Sequence, residues 1–347
     1  MVLEEPAVGG GGGALRAAGG VIWDPGRTAE VRRLIRRHRP DVVHVHNLFP
    51  ALSPAVIRAA RDEGVPVVMT LHNFRLLCLP ATLLRDGRIC GDCVGRFPWP
   101  GILHGCYRGS RAQSVPMAIS LGLHRGIGTF DRVTRFIAVS DFVRRVHVGA
   151  GLPEDRVVVK PNFAWPAPRR GGPGGPYLYL GRLSAEKGVE TLLRAWRPGL
   201  GRLVVAGDGP EGPRLRALAG EGVELIGAVP PERARELVAG REPCSCRRSA
   251  TKGFPRVIVE AYASGVPVVA SRIGALPEVV EEGVTGLLAE PGDPASWAEA
   301  VGRLREDELS LRLGEGAYRA WAERYTPERN LEMLEAIYAE AIAAARA

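Results

Sequence analysis

The feature that most restricts this chain's fold is an alternation. Short, nearly continuous apolar runs rich in β-branched residues take turns with segments of helical period. In the first half, residues 41–46, 65–71 and 135–140 read as strands, with a helix over 54–63 and another following Asp141. In the second half, residues 177–180, 203–206, 223–226 and 266–270 read as strands, and 189–196, 257–264 and 297–305 as helices. Strands that are apolar on both faces and separated by helices belong to parallel sheets covered on both sides. The expected fold class is therefore α/β, with two doubly wound Rossmann-like domains. A proline, glycine and arginine stretch at 165–176 interrupts the alternation and reads as the linker between them.

Length agrees with that division, because 347 residues at about 150 per domain make two domains with their own cores. Apolar residues at 46% and charged residues at 24% are ordinary for a globular protein and exclude disorder as the main state. No run approaches the roughly 18 apolar residues of a membrane span. The start, Met1-Val-Leu-Glu-Glu5, is acidic and leads into a glycine tract, unlike a secretory signal, so a cytoplasmic protein is expected. Residues 1–26 are expected to be flexible or a mis-assigned start. The net charge of +8 is carried largely by arginine. Arg27, Arg32, Arg33, Arg36, Arg37 and Arg39 share one helical stretch with Val31, Leu34 and Ile35. Either this is a solvated helix face, or it meets an anionic membrane surface or a phosphorylated acceptor, making the protein membrane-peripheral. No aromatic-interleaved basic motif accompanies it, which argues against nucleic acid.

Several fragments then occur in a specific order: His44-Val-His46-Asn47, Thr70-Leu-His72-Asn73, Ile137-Ala-Val-Ser140, Gly181-Arg182-Leu-Ser-Ala-Glu-Lys187-Gly188, Gly207-Asp-Gly209-Pro210, Gly253-Phe254-Pro255 leading to Glu260, Gly265-Val-Pro-Val-Val-Ala-Ser271 and Gly283-Val-Thr-Gly-Leu-Leu288. In order and spacing they resemble the group 1 (GT4-like) retaining glycosyltransferases, whose GT-B fold sets two Rossmann-like domains around a cleft. The resemblance covers roughly residues 28–340. It implies an acceptor-side domain over 27–164 with a cysteine-rich insertion at 78–111, a nucleotide-sugar-binding domain over 177–325, and a C-terminal helix over 326–347.

The chemistry of that family fits these residues. A nucleoside-diphosphate-sugar donor leaves a diphosphate, and a site without a metal must neutralise it with cations and amides. Arg182 offers a guanidinium fork and Lys187 a point charge, both on the loop after the first strand of the second domain. By resemblance, Glu260 accepts from the donor ribose hydroxyls. Gly181, Gly207, Gly209, Gly253, Phe254 and Pro255 line the donor, the last three at a helix N-terminus. His72 contacts the donor sugar near the reacting carbon, and His46, Asn47 and Ser140 lie in the acceptor cleft. His44 and His46 alternate on one strand and share a face, as cleft packing or as part of a metal site lacking a third ligand. No cofactor is expected to be needed for catalysis. The implied partners are a nucleotide-sugar donor and a saccharide or lipid-linked acceptor.

Six cysteines are present, four of them within 78–106: Cys78, Cys90, Cys93 and Cys106. The C-x-x-C pair with two flanking cysteines has the makeup of a tetrahedral structural zinc site. Free buried thiols and disulfides are the alternatives, and a cytoplasmic setting disfavours the disulfides.

Two departures from the family pattern accompany the resemblance. The strand, glycine-rich turn, helix and two further strands that should precede residue 41 are not legible, so the first domain is expected to be N-terminally truncated. Residues 241–252 are polar where a buried apolar strand, a Pro-Ser turn and a glutamate eight residues before Glu260 belong, and that last position is Lys252. One codon choice for this stretch, read two bases later, gives Pro-Arg-Ala-Leu-Leu-Leu-Pro-Ser-Glu-Cys-Tyr-Glu-Gly-Phe-Pro, which restores all three features. A compensated frameshift over about 241–252 is thus expected. The functional expectation is retaining sugar transfer by front-face departure of the diphosphate. The alternative is an impaired nucleotide-sugar-binding remnant.

Overall fold

A computed structural model describes residues 19–50, 52–170, 172, 175–239, 244–245 and 254–346. They form two compact units: one takes the chain up to Arg85, Cys90–Lys160 and the residues from Met333 on, the other Asp86–Ile89 and Pro161–Glu332.

In the first unit, helix α1 (Pro25–His38) leads to β1 (Val43–His46), α2 (Ala55–Asp62) and β2 (Val67–Leu71). Helices α3 (Trp99–Leu103) and α4 (Arg111–Gly126) follow, then β3 (Arg135–Ala138), α5 (Asp141–Gly149) and β4 (Val157–Val159). The four strands pair in parallel in the order β1-β2-β3-β4. Every residue of β2 is buried, as a two-sided parallel strand requires. Among the described residues β1 pairs only with β2, and residues 1–18, where preceding elements were sought, lie outside the description. Helix α1 starts where Asp24 accepts from the Arg27 N–H at 2.9 Å, with Pro25 opening the first turn. Its arginines are partly ion-paired with the end of α2. Arg32 meets Asp62 at 2.9 Å, and Arg36 grips Glu63 through two bonds of 2.8 Å.

In the second unit the order is β5 (Tyr177–Leu180), α6 (Val189–Ala195), β6 (Leu203–Ala206), α7 (Gly212–Leu218), β7 (Val223–Gly227), α8 (Pro231–Ala239) and β8 (Cys244–Ser245). Then come α9 (Arg256–Ala263), β9 (Val268–Ser271), β10 (Gly286–Ala289), α10 (Pro294–Arg303), α11 (Asp307–Arg324) and α12 (Pro327–Arg346). The six-stranded sheet runs β10-β9-β8-β5-β6-β7 and is parallel throughout. Read from β7, this is the Rossmann order, whose direction of winding reverses between β5 and β8. Residues Leu192, Leu203, Val205, Val269, Leu287 and Trp297 are completely or almost completely buried in its core. Strand β7 alternates half-buried and exposed positions, as an edge strand does.

Helix α12 serves both units in sequence. From Met333 on it belongs to the first, where Ile337 and Ala341 pack on Val68 and Ile137 of β2 and β3. The described part of 165–176 lies within the second unit and is anchored there, not a free linker. The Arg170 N–H donates to the Ser264 carbonyl at 2.8 Å, its guanidinium to Ser310 at 3.1 Å, and the Arg169 guanidinium lies 3.9 Å from the Tyr318 ring centroid. The passage between units falls at Lys160 and Pro161 instead. Proline and glycine marked a change of direction there, but the arginines tie the segment down.

Candidate functional site

The winding reversal of the second sheet opens onto a cavity of about 400 Å3. Its wall includes Gly181 and Lys187 from the loop after β5, and Phe254, Pro255, Arg256, Val257 and Glu260 from the start of α9. Crevices at such reversals are where open α/β sheets bind ligands, because loop amides and helix N-termini converge there. Five of the predicted donor-site residues are thus brought together. Glu260 stands in the second turn of α9, 3.7 Å from the Arg256 guanidinium one turn earlier. Arg256 is the charged wall residue not singled out from the sequence, along with Tyr179 and the apolar Leu180, Val257 and Leu276. The available signal was a cation directly after Phe254-Pro255.

Arg182 directly follows Gly181. Its side chain is exposed and is not part of the cavity wall, while its carbonyl accepts from the Tyr179 hydroxyl at 3.2 Å. Between Arg182 and Lys187, Ser184 is buried, and its Oγ has no hydrogen-bond partner among the described residues. Such an atom is costly unless something bonds to it. Gly207 and Gly209 also stand outside the wall. They let the loop after β6 lie directly on the loop after β5. A Cβ on Gly207 would sit 1.9 Å from the Gly181 carbonyl oxygen, and one on Gly209 2.3 Å from that of Leu183. Both have φ near +150°, at +147° and +157°. They set how closely the two loops pack and are not part of the cavity wall. Gly253 and Lys252 lie outside the described residues.

In the first unit, the carboxyl ends of β1 and β2 carry a histidine cluster. His46 Nδ1 and His72 Nε2 are 2.8 Å apart and share one proton, with their rings stacked at 5.1 Å. The His44 ring lies 4.1 Å from that of His46, so the two do share a face. His44 bonds to Tyr338 on α12 at 2.6 Å and to Thr70 at 2.7 Å. Burial first, and then the charge of neighbouring His46, pushes the His72 imidazolium down to about 4. The same causes take His44 to about 3, with Lys160 and His72 adding to them, and burial followed by Lys160 lowers His46. The cluster is therefore neutral at physiological pH, able to donate and accept hydrogen bonds to hydroxyl groups without a net charge. Asn47 accepts from the Asn73 amide at 3.0 Å beside it. The packing alternative for His44 fits its two bonds.

Ser140 stands between β3 and α5. It is 5% exposed, and its hydroxyl accepts from the Val143 N–H at 3.2 Å as the N-cap of α5. The cap satisfies one of the first N–H groups of the helix, which gives this side chain a structural task whatever else it does.

Cys78, Cys90, Cys93 and Cys106 all line one small cavity together with Asp92, and none of the four is in a disulfide. Burial raises the Cys78 and Cys93 thiols above their ordinary range, and the charges of their cysteine neighbours raise them further. Among the described residues no group of three or more His, Cys, Asp or Glu is gathered as a ready metal-ligand set.

Two parallel-sheet Rossmann-like units, one with a walled cavity at its winding reversal, have the makeup of the GT-B fold class. Residues 176–307 match the family described as glycosyl transferases group 1, and residues 8–164 match Glycosyltransferase Family 4. The D-inositol 3-phosphate glycosyltransferase of Acidothermus cellulolyticus is 31% identical over 92% of this chain and 72% of its own length. The protein of that name from Saccharomonospora viridis is 31% identical over 88% and 71%. Among solved structures, Anabaena HepE in complex with UDP matches with a TM-score of 0.65 at 20% identity, over 90% of this chain and 82% of that one. The sucrose-phosphate synthase of Thermosynechococcus elongatus matches at 0.66 and 17% identity, over 92% and 78%. The chain belongs to the group 1, family 4 glycosyltransferases, and it is a glycosyl-transfer enzyme by descent.

Proposed function

We propose that this enzyme moves a sugar from a nucleoside-diphosphate donor to a saccharide or lipid-linked acceptor with retention of configuration. The observation that carries the reading is the cavity at the β5/β8 reversal, where Lys187, the first turn of α9 and Glu260 share one wall. Lys187 and the α9 amides suit the diphosphate, and Arg182, exposed on the same loop as Lys187, adds positive charge beside them. Glu260 suits two ribose hydroxyls. The buried, unpartnered Ser184 Oγ on the same loop supports a ligand at this place. A neutral His72 suits recognition of a sugar hydroxyl. The diphosphate departs from the face that the acceptor hydroxyl attacks, and its developing charge is met by side-chain cations in place of a metal. Relatives binding UDP and UDP-glucose point to a uridine nucleotide as the first donor to try.

The test is titration with UDP- and GDP-sugars, followed by a transfer assay in which NMR reads the anomeric configuration of the product. Retained configuration, undiminished without divalent metal, is the expected result. An inverted product overturns the mechanism. Lys252 in place of the motif glutamate favours the second reading, a nucleotide-sugar-binding remnant, whose mark is binding without turnover.

For the four clustered thiols, structural zinc is the proposed occupant, since four cysteines lining one small cavity have the makeup of a tetrahedral thiolate site. Elemental analysis should find about one zinc per chain, lost when Cys93 and Cys106 become serine. Metal-free protein with all six thiols titratable would contradict it.

A further inference from the structure

Helix α4 is apolar on both sides. Its buried side carries Met117, Ala118 and Leu121 together with Ser114, Ser120 and His124, whose polar groups all have partners. Ser114 donates to the Ser110 carbonyl at 2.8 Å, Ser120 to that of Val21 at 2.8 Å, and His124 bonds both Thr129 Oγ1 and the Ile22 carbonyl at 2.9 Å. Its outer side carries Val115, Ile119 and Leu123 at four-residue spacing, continued by Ile127 at the C-cap, each 38–41% exposed. Such spacing stacks them in one stripe about 18 Å long at 1.5 Å per residue.

The α3 segment runs antiparallel alongside and widens the stripe. Arg125 donates to the Arg96 carbonyl at 2.8 Å, and Arg111 Nε to the Leu103 carbonyl at 2.8 Å. Between these ties the Phe97 ring lies on Gly122, where a Cβ would come within 2.4 Å of it. Phe97, Trp99 and Leu103 are 46%, 50% and 52% exposed. The charge of the region has one sign. From Cys93 to Phe130 the sequence holds Arg96, Arg108, Arg111 and Arg125 and no aspartate or glutamate.

We propose that the α3–α4 face docks on an anionic lipid bilayer. The aliphatic stripe and the aromatic rings would enter the interfacial layer, and Arg96, Arg108 and Arg111 would meet headgroup phosphates, Arg125 being held by the Arg96 and Leu76 carbonyls. A helix lying in the interface plane with tryptophan and phenylalanine on its apolar side and arginine at its margins has the makeup of a monotopic anchor. Charge decides against a second copy of this chain as occupant, because an isologous contact would set these arginines against their own kind with no acid between them. Helix α4 has 16 residues, and no described helix is long and apolar enough to cross a membrane, so the contact is peripheral. The arginines of α1, considered for such a surface from sequence, are in part taken up by Asp62 and Glu63.

The test is co-sedimentation of the full chain with vesicles of phosphatidylcholine alone and with added phosphatidylglycerol, alongside light scattering for oligomeric state. Expected is at least tenfold stronger binding to the anionic vesicles, a blue shift of tryptophan fluorescence on binding, and at least a tenfold loss in Ile119→Glu/Leu123→Glu. That variant should keep its melting temperature and nucleotide binding, since both positions are exposed. If it does not fold, Trp99→Ser/Leu103→Ser carries the same expectation. Equal binding to neutral vesicles, no binding to either, or unchanged binding by a folded variant overturns the proposal. So does a dimer that the substitutions dissociate while vesicles ignore the wild type, which would assign the face to a second copy.

Discussion

At the scale of single residues, function and structure are separable by where each side chain's bonds go. The Ser140 hydroxyl is committed to the α5 N-terminus, so Ser140→Ala should lower stability by about 1 kcal/mol in denaturant unfolding and leave nucleotide titration unchanged. A loss of acceptor recognition without loss of stability would return it to a binding role. The histidines give a pH dependence with a definite sign. Their folded-state values lie below the roughly 6.5 of a histidine in the unfolded chain. Below pH 6.5 the unfolded chain takes up protons that the folded cluster refuses, so stability is full above that pH and falls as the pH drops toward about 4. Melting temperatures between pH 7 and 4 should show this decline, and His44→Gln should flatten it. The sequence placed His44 and His46 on one face, because strand period alone dictates it. The His44 partner Tyr338, nearly three hundred residues away, carried no local signal.

At the scale of elements, backbone approach matters more than the side chains that sequence motifs advertise. Gly207 belongs to the loop after β6, yet what it touches is the carbonyl of Gly181 after β5. Gly207→Ala must push the two loops apart, at a cost of about 2–4 kcal/mol, and should weaken donor binding along with stability. Unchanged melting would show that the loops are not in contact. The strands themselves were legible, β5 and β6 to the residue, because continuous β-branched runs leave little alternative in a two-sided sheet. The short central strand β8 was not. Its backbone pairs Cys244 between Leu178 and Val268, in the middle of the sheet, where the sequence as written is polar. The apolar run of the shifted frame would fall on this strand. Replacing residues 241–252 with the shifted-frame sequence should therefore raise both the melting temperature and the transfer rate. A fall in both would argue for the written sequence.

At the scale of the whole molecule, two parallel sheets supply two separate chemical settings. One is a walled cavity with cations and a carboxylate, the other a cluster of neutral imidazoles. The cavity was largely foreseeable, since a strand-loop-helix motif after β5 and another before α9 meet in Rossmann order without further information. Whether a given motif residue faces the ligand or supports the loop was not, as Arg182, Gly207 and Gly209 show, because that depends on packing between distant segments. The central claim is that Lys187 and its neighbours at the β5/β8 reversal hold the donor's diphosphate. Calorimetric titration of UDP into wild type, Lys187→Ala and Glu260→Ala tests it most directly. At least tenfold weaker binding in each variant, with intact melting behaviour, is the predicted result. Wild-type affinity in a well-folded Lys187→Ala protein would contradict it.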